Sequence, residues 1–390
     1  MAYTAHGKRG PVSKHIETRG RELMESSPKV IDRASCVVGM KAHDLRTPAL
    51  LVDLEAMENN LYQMARFFRG RPTKLRPHFK AHQTLFLASK QLQMGSIGIA
   101  CARLEQAEAL LRHGIQNILI ANEIAGKDMI ERFVDLSHYA PVLVAVDNPK
   151  VVWDLAGAAG ERARELNVLV DLDVRLGRCG IRPGKAALSL TKLVLEKGLR
   201  FRGLMGYEGH IAVPAGPEKE RVVHAALQQL VDTKSMIERE GIPVEVVSCG
   251  GTSDYSIAGT FPGVTEVQAG SYLVMDTWYV PHAPEFIPTL TILATVISKT
   301  SGERIVVDAG AKAMSGEHGL PSVKGIDGLR VKAMHVEHTL MEISDASVSV
   351  EVGDKIELWV RCLDPTLNLH PHMYGIRHGE VEKLLPIEHS

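Results

Sequence analysis

The chain has 390 residues, 45 % of them hydrophobic and 5 % aromatic, which is too long for one small core and fits two domains or a barrel with an appendage. With 45 basic against 46 acidic residues the formal net charge is −1, so no global field favours nucleic acid or an anionic membrane, and a small molecule is the expected ligand. Five cysteines, Cys36, Cys101, Cys179, Cys249 and Cys362, are widely spaced without a CxxC pair, which is not a disulfide framework and points to a reducing cytoplasm.

Met1 to Met40 is polar and charged, without the apolar core of a signal peptide, and no run of about 18 apolar residues occurs anywhere. Residues 1–45 read as an N-terminal extension that packs in part on a later domain. From Pro48 onward short apolar runs alternate with helix-period segments. The first predicted strand is Ala49–Asp53. The helix after it, Leu54–Phe68, repeats Leu54, Met57, Leu61, Met64 and Phe68 at steps of three or four, forming one buried stripe. Further strands are predicted at Lys74–His78, Ile97–Ala102, Asn117–Asn122, Val142–Val146, Val168–Val174, Phe201–Tyr207 and Val244–Ser248, with helices at Leu104–His113, Met129–Leu136 and Glu218–Glu240 among them. Eight such strands, without the GxGxxG fingerprint of a dinucleotide-binding sheet, predict an α/β protein whose residues 46–287 form a (β/α)₈ TIM-type barrel. Beyond Pro288 the runs are closely spaced and β-branched: Leu290–Ile297, Arg304–Val307, Val348–Val352, Lys355–Val360 and Tyr374–Arg377. Residues 288–390 therefore read as a mostly antiparallel β domain.

Barrel active sites lie at the C-terminal ends of the strands, so polar residues just beyond each apolar run are the candidates. They include Lys80 and His82, Arg103, Asn122 and Glu123, Asp173 and Arg178, and Tyr207 and His210. Ser248-Cys249-Gly250-Gly251-Thr252-Ser253 then leaves a strand into glycines and hydroxyls, a composition that lets backbone N–H groups approach a phosphate. Val267-Gln268-Ala269-Gly270-Ser271-Tyr272 is a second loop of the same kind. A lysine and a phosphate cradle on one rim suggest pyridoxal phosphate, held by its aldehyde at the lysine and by its phosphate at the other end.

Thr47–Asp53, Arg76-Pro77-His78-Phe79-Lys80-Ala81-His82, Gly177-Arg178-Cys179-Gly180, Gly250-Gly251-Thr252, Glu266–Tyr272 and Asp308-Ala309-Gly310-Ala311-Lys312 resemble, in order and spacing, the D-threonine aldolase and D-serine dehydratase family. That family includes the 3-hydroxyaspartate aldolases. The resemblance spans roughly residues 46 to 385 and implies an alanine-racemase-like fold, a pyridoxal phosphate barrel followed by a β domain. It further implies that Lys80 is the Schiff-base lysine and that Gly250, Gly251, Thr252, Gln268, Gly270, Ser271 and Tyr272 surround the phosphate. Tyr207 would face the pyridine nitrogen, and Arg178 would lie near the ring's phenolic oxygen.

A neutral tyrosine at that nitrogen makes a weaker electron sink than an aspartate would, so the reaction needs help at the substrate's Cβ hydroxyl. Metal-dependent members supply it with a His-x-Asp or His-x-Cys pair ahead of a Pro-Thr-x-Asn-Leu-His run. The matching run here is Arg361–His370, in which Asp364 keeps its place and Cys362 stands where histidine is expected. Two readings stay open: Cys362 and Asp364, at i and i+2 on a strand, pinch a divalent ion, with thiolate favouring zinc over magnesium or manganese, or Cys362 is a small buried hydrophobe. Where the family often carries Gln-Lys the chain has Ala102-Arg103, and after the tyrosine it has Glu208-Gly209-His210. Arg103 could pair with a substrate carboxylate or stand on the surface of the following helix. A histidine of Glu317-His318-Gly319 or Glu337-His338, His338 foremost, could act as base on the Cβ hydroxyl or be an exposed or structural histidine, whereas His370-Pro371-His372 reads as a surface feature.

The expected function is cleavage of a D-β-hydroxy-α-amino acid to glycine and an aldehyde, with D-threonine, D-phenylserine and 3-hydroxyaspartate as substrate types. The alternative is dehydration of the same substrates to ammonia and a keto acid. A racemase would need a second base on the opposite face, and a carrier without activity would need only the barrel. Related enzymes build their sites between two subunits, so a homodimer is expected.

Overall fold

The computed structural model describes residues 37–211, 216–301 and 303–389. Two sheets organise it. One is an eight-stranded parallel sheet in the order β2 (Lys74–Leu75), β9 (Glu266–Val267), β8 (Val246–Cys249), β7 (Arg200–Gly206), β6 (Asn167–Leu172), β5 (Val142–Val146), β4 (Ile118–Glu123) and β3 (Ile99–Cys101). A bridge between His78 and Ala100, with Ala100 N donating to Pro77 O at 2.9 Å and Ile97 N to Leu75 O at 2.9 Å, joins β2 back to β3 and closes the barrel. Alternation along the strands sorts the side chains. Ala100, Leu119, Leu143, Ala145, Leu169 and Met205 pack together as one cluster, while their sequence neighbours Ile99, Ile118, Val142, Val144, Val168 and Val170 join the large core that the helices cover.

The helix Leu54–Phe68 forms where its stripe predicts. Asp53 caps it, its carboxylate accepting from the N–H groups of Glu55 and Ala56, both at 3.0 Å. The predicted helices at 104, 129 and 218 appear as Leu104–Arg112, Lys127–Tyr139 and Pro217–Arg239.

The second sheet has the order β13 (Leu329–Met334), β14 (Thr339–Ile343), β11 (Arg304–Val307), β10 (Leu290–Ser301), β1 (Ala49–Asp53), β16 (His372–Arg377) and β17 (Glu380–Pro386). In addition β15 (Lys355–Trp359) pairs with β10 and β12 (Ser322–Val323). This corrects the assignment of Ala49–Asp53 to the barrel: β1 pairs antiparallel with β10 and parallel with β16. The eighth barrel strand is instead Glu266–Val267, two residues inside the second glycine loop, too short to show a period. Val348–Val352 forms no strand, and β12, β13, β14 and β17 were not anticipated. Most of the N-terminal extension lies outside the described residues. Its described end packs against the second sheet, with Gly39 N donating to Val381 O at 2.8 Å and Ala42 and Leu45 buried beside Leu293 and Val381.

Candidate active site

The C-terminal ends of the barrel strands surround a cavity of about 270 Å³. Lys80, Arg178, Tyr207, Gly250, Gly251, Thr252, Gln268, Gly270 and Ser271 all line it. Lys80 sits in the short 3-10 turn Phe79–Ala81, where His78 Nδ1 accepts the Lys80 N–H at 3.3 Å. Burial, followed by the Lys80 and Arg178 charges, holds His78 well below the usual histidine range, which keeps that ring nitrogen an acceptor. The Arg178 guanidinium lies over the Tyr207 ring, 5.5 Å from its centre.

Tyr207 leaves 39 % of its surface open, yet its phenol is pushed up from 10 by burial and then by Tyr279, Asp254 and Glu208. It is a neutral phenol at physiological pH. Glu208, next in sequence, is 1 % exposed and accepts the Gly250 N–H at 3.2 Å, while Asp254 accepts the Gly251 N–H at 2.7 Å. Burial and their mutual proximity raise Glu208 strongly, and burial raises Asp254. A carboxyl pair sharing a proton therefore buttresses the glycine loop from behind. Those two N–H groups are occupied within the protein, which leaves the hydroxyl-bearing positions Thr252 and Ser271 as the cradle's polar groups on the cavity. Gly250 has φ +76°, a conformation that requires glycine, and a Cβ on Gly270 would collide with the His78 carbonyl oxygen.

The remaining expectations divide. Tyr272 is fully buried away from the cavity: its hydroxyl accepts from Gln91 Nε2 at 3.0 Å, and its N–H donates to Thr252 Oγ1 at 3.0 Å. It orients the cradle rather than lining it. His338 is exposed in the turn between β13 and β14 and does not line the cavity of this chain. Asp364 stands at the rim, with Oδ2 3.6 Å from Lys80 Nζ and Oδ1 buried without a hydrogen-bond partner.

Cys362 and Asp364 do not share a strand face. Helix Leu363–Leu367 begins between them, with Cys362 as its N-cap. Cys362 is 3 % exposed, its Sγ 3.9 Å from Glu317 Oε2, and burial pushes its thiol up to about 11. Among the described residues no three His, Cys, Asp or Glu side chains are grouped as metal ligands.

Sequence reasoning passed over His78, Asp171 and Tyr279, which also line the cavity. Asp171 ends a barrel strand, and burial and the Glu123 carboxylate push it well above the usual range. Its place at a strand end was the available signal. Tyr279, whose phenol is paired with Ser271, comes from a loop with no period and gave none.

The pyridoxal phosphate requirements are met: a half-exposed lysine on the rim, a neutral phenol in the wall, and two glycine loops bearing hydroxyls on the same cavity. Comparison with known proteins points the same way. Residues 52–277 match the alanine racemase N-terminal domain, and residues 289–376 match the putative serine dehydratase domain. The 3-hydroxy-D-aspartate aldolase of Paracoccus denitrificans (strain Pd 1222) is 32 % identical over 90 % of this chain and 93 % of that protein. The D-threo-3-hydroxyaspartate dehydratase of Delftia sp. (strain HT23) is more distant, 26 % identical over 81 % of this chain and 89 % of that protein. The crystal structure of D-threonine aldolase from Filomicrobium marinum superposes with a TM-score of 0.86 at 32 % identity, covering 90 % of this chain and 97 % of that one.

Proposed function

The chain belongs to the D-threonine aldolase and D-serine dehydratase family of alanine-racemase-like enzymes, whose members bind pyridoxal phosphate, and from that premise we propose that it cleaves a D-β-hydroxy-α-amino acid to glycine and an aldehyde. The observation that carries the proposal is the convergence on one cavity of Lys80, the Arg178–Tyr207 stack and the two hydroxyl-bearing glycine loops. The greater similarity to aldolases than to the dehydratase favours cleavage over dehydration.

In this reading Lys80 carries the cofactor's aldehyde carbon, Thr252 and Ser271 hold its phosphate, and Gly250 and Gly270 let the backbone come close. Tyr207 keeps its proton and would offer the pyridine nitrogen a neutral partner, and Arg178, stacked on Tyr207, would lie near the cofactor ring. Pyridoxal phosphate held there would supply an electron sink for the pair released from the Cα–Cβ bond. Asp364, with Oδ1 unpartnered beside Lys80, accepts the hydrogen of the substrate's Cβ hydroxyl as the aldehyde forms. A proton returned to Cα, balancing the one that Asp364 takes, would then give glycine.

Among the described residues no helix is long and apolar enough to cross a membrane. Four described cysteines are free, which supports a reducing cytoplasm as the protein's location. A homodimer is proposed as the working form, a reading supported by the exposed His338 turn, which does not line the cofactor cavity of its own chain.

The test is mass-spectrometric product analysis after incubating cofactor-loaded protein with a panel of D-β-hydroxy-amino acids. Glycine plus aldehyde is expected. Ammonia plus a keto acid would replace the proposal with dehydration, and no turnover of any member would overturn it.

A further inference from the structure

A second cavity adjoins the first, and Lys80 and Ala102 line both. Lys80 and the methyl group of Ala102 form the wall that the two cavities share. A substrate held by its amine at Lys80 stands where the two cavities meet. This cavity holds Arg103, Asp364 and His389. Lys80 and Asp364 already offset each other at 3.6 Å.

Arg103 is different. It follows β3 directly and serves as N-cap of helix Leu104–Arg112 through its backbone, so its exposed side chain makes no capping bond. The acid nearest it in sequence, Glu105, is held by Arg132 at 3.0 Å. Among the described residues Arg103 has no ion-pair partner. It lines the outer cavity but not the cofactor cavity, which places it beyond the α-carboxylate, a group bonded to Cα and close to the reacting nitrogen.

We infer that Arg103 binds a second carboxylate, on the substrate's side chain, so that the preferred substrates are acidic ones of the 3-hydroxyaspartate type rather than D-threonine or D-phenylserine. The inference rests on the proposed aldol cleavage for its substrate frame, and it names the group that sets specificity. A guanidinium fork matches a carboxylate with two parallel hydrogen bonds, which adds geometric specificity to the charge attraction.

Two measurements on the cofactor-loaded protein and its Arg103→Met and Arg103→Lys variants test it. In the first, kcat/KM is measured for D-3-hydroxyaspartate and D-threonine. The ratio between them is expected to favour the diacid and to fall about 10- to 100-fold in Arg103→Met, with Arg103→Lys between. In the second, calorimetry compares binding of D-aspartate with that of D-alanine, neither of which has a hydroxyl to cleave. D-aspartate should bind more tightly, and Arg103→Met should erase the difference. Equal losses for both substrates would place Arg103 on the α-carboxylate and overturn the inference, as would an unchanged ratio. If D-aspartate shows its Arg103-dependent advantage but no substrate is cleaved, carboxylate recognition stands and the aldolase reading fails.

Discussion

Lys80 joins two kinds of evidence at the scale of single residues. Its motif is local, but its neighbours Arg178, Tyr207 and Asp364 come from positions scattered over almost 300 residues of chain, and only the closed barrel brings them together. Because the side chain is 47 % exposed and has Asp364 as its ion-pair partner, replacing it leaves the core intact. Lys80→Ala is expected to fold with unchanged circular dichroism while losing the cofactor adduct. Borohydride treatment followed by mass spectrometry should show a cofactor-sized mass gain on the wild-type peptide containing Lys80 and none on the variant, with cleavage down by about 10³-fold or more. A mass gain on another lysine would remove Lys80 from its role. The same residues mark the limits of sequence reading at this scale. Lys80, Arg178 and Tyr207 were legible because motif spacing records them. The error over Cys362 and Asp364 came from assuming a strand where Pro365 sits in a first helical turn, a position proline accepts.

Asp276 controls the junction between elements. It is 2 % exposed, and its Oδ1 accepts from the N–H groups of Trp278 and Tyr279 at 3.0 and 3.1 Å, while Oδ2 accepts from Leu363 N at 2.8 Å. It therefore ties the loop carrying Tyr279 to the start of the helix carrying Asp364. Burial, working against those three donors, pushes its carboxyl up to about 7 from a usual 3.8. A carboxyl with a raised folded pKa keeps its proton in the fold after the unfolded chain has lost it. Its contribution is full below pH about 4 and is lost as pH rises toward about 7, with a slope of up to roughly 1.4 kcal/mol per pH unit. The thermal midpoint of the wild type should accordingly fall relative to Asp276→Asn across that window. Parallel curves would show that the three N–H groups keep the carboxyl ionised throughout. No pattern in the sequence marked this residue, because the bond to Leu363 spans 87 positions and local periodicity carries no record of such a partner.

For the whole molecule, the two sheets are not successive beads on the chain. The barrel was legible because its strands β3 to β8 are apolar runs separated by amphipathic helices. Its closure was not, since β2 and β9 contribute two residues each. The position of β1 was misread for a physical reason: a strand buried on both faces, followed by a capped helix, looks the same whether it joins a barrel or the sheet beside it. Leu50, Leu51 and Val52 are at most 3 % exposed, and what covers them includes β10 and β16, more than 200 residues away. Exposing those three side chains would cost roughly 1.5–3 kcal/mol each, a total comparable with the 5–15 kcal/mol that keeps a typical domain folded. The barrel should therefore not survive on its own with β1 attached. A fragment of residues 46–287 is expected to be insoluble or to unfold without a cooperative transition, although it contains every barrel strand. The chain from residue 37 onward should melt as one cooperative unit. Recovery of a soluble 46–287 fragment with a sharp thermal transition would mean that β1 tolerates the loss of β10 and β16 and that the barrel folds without the second sheet.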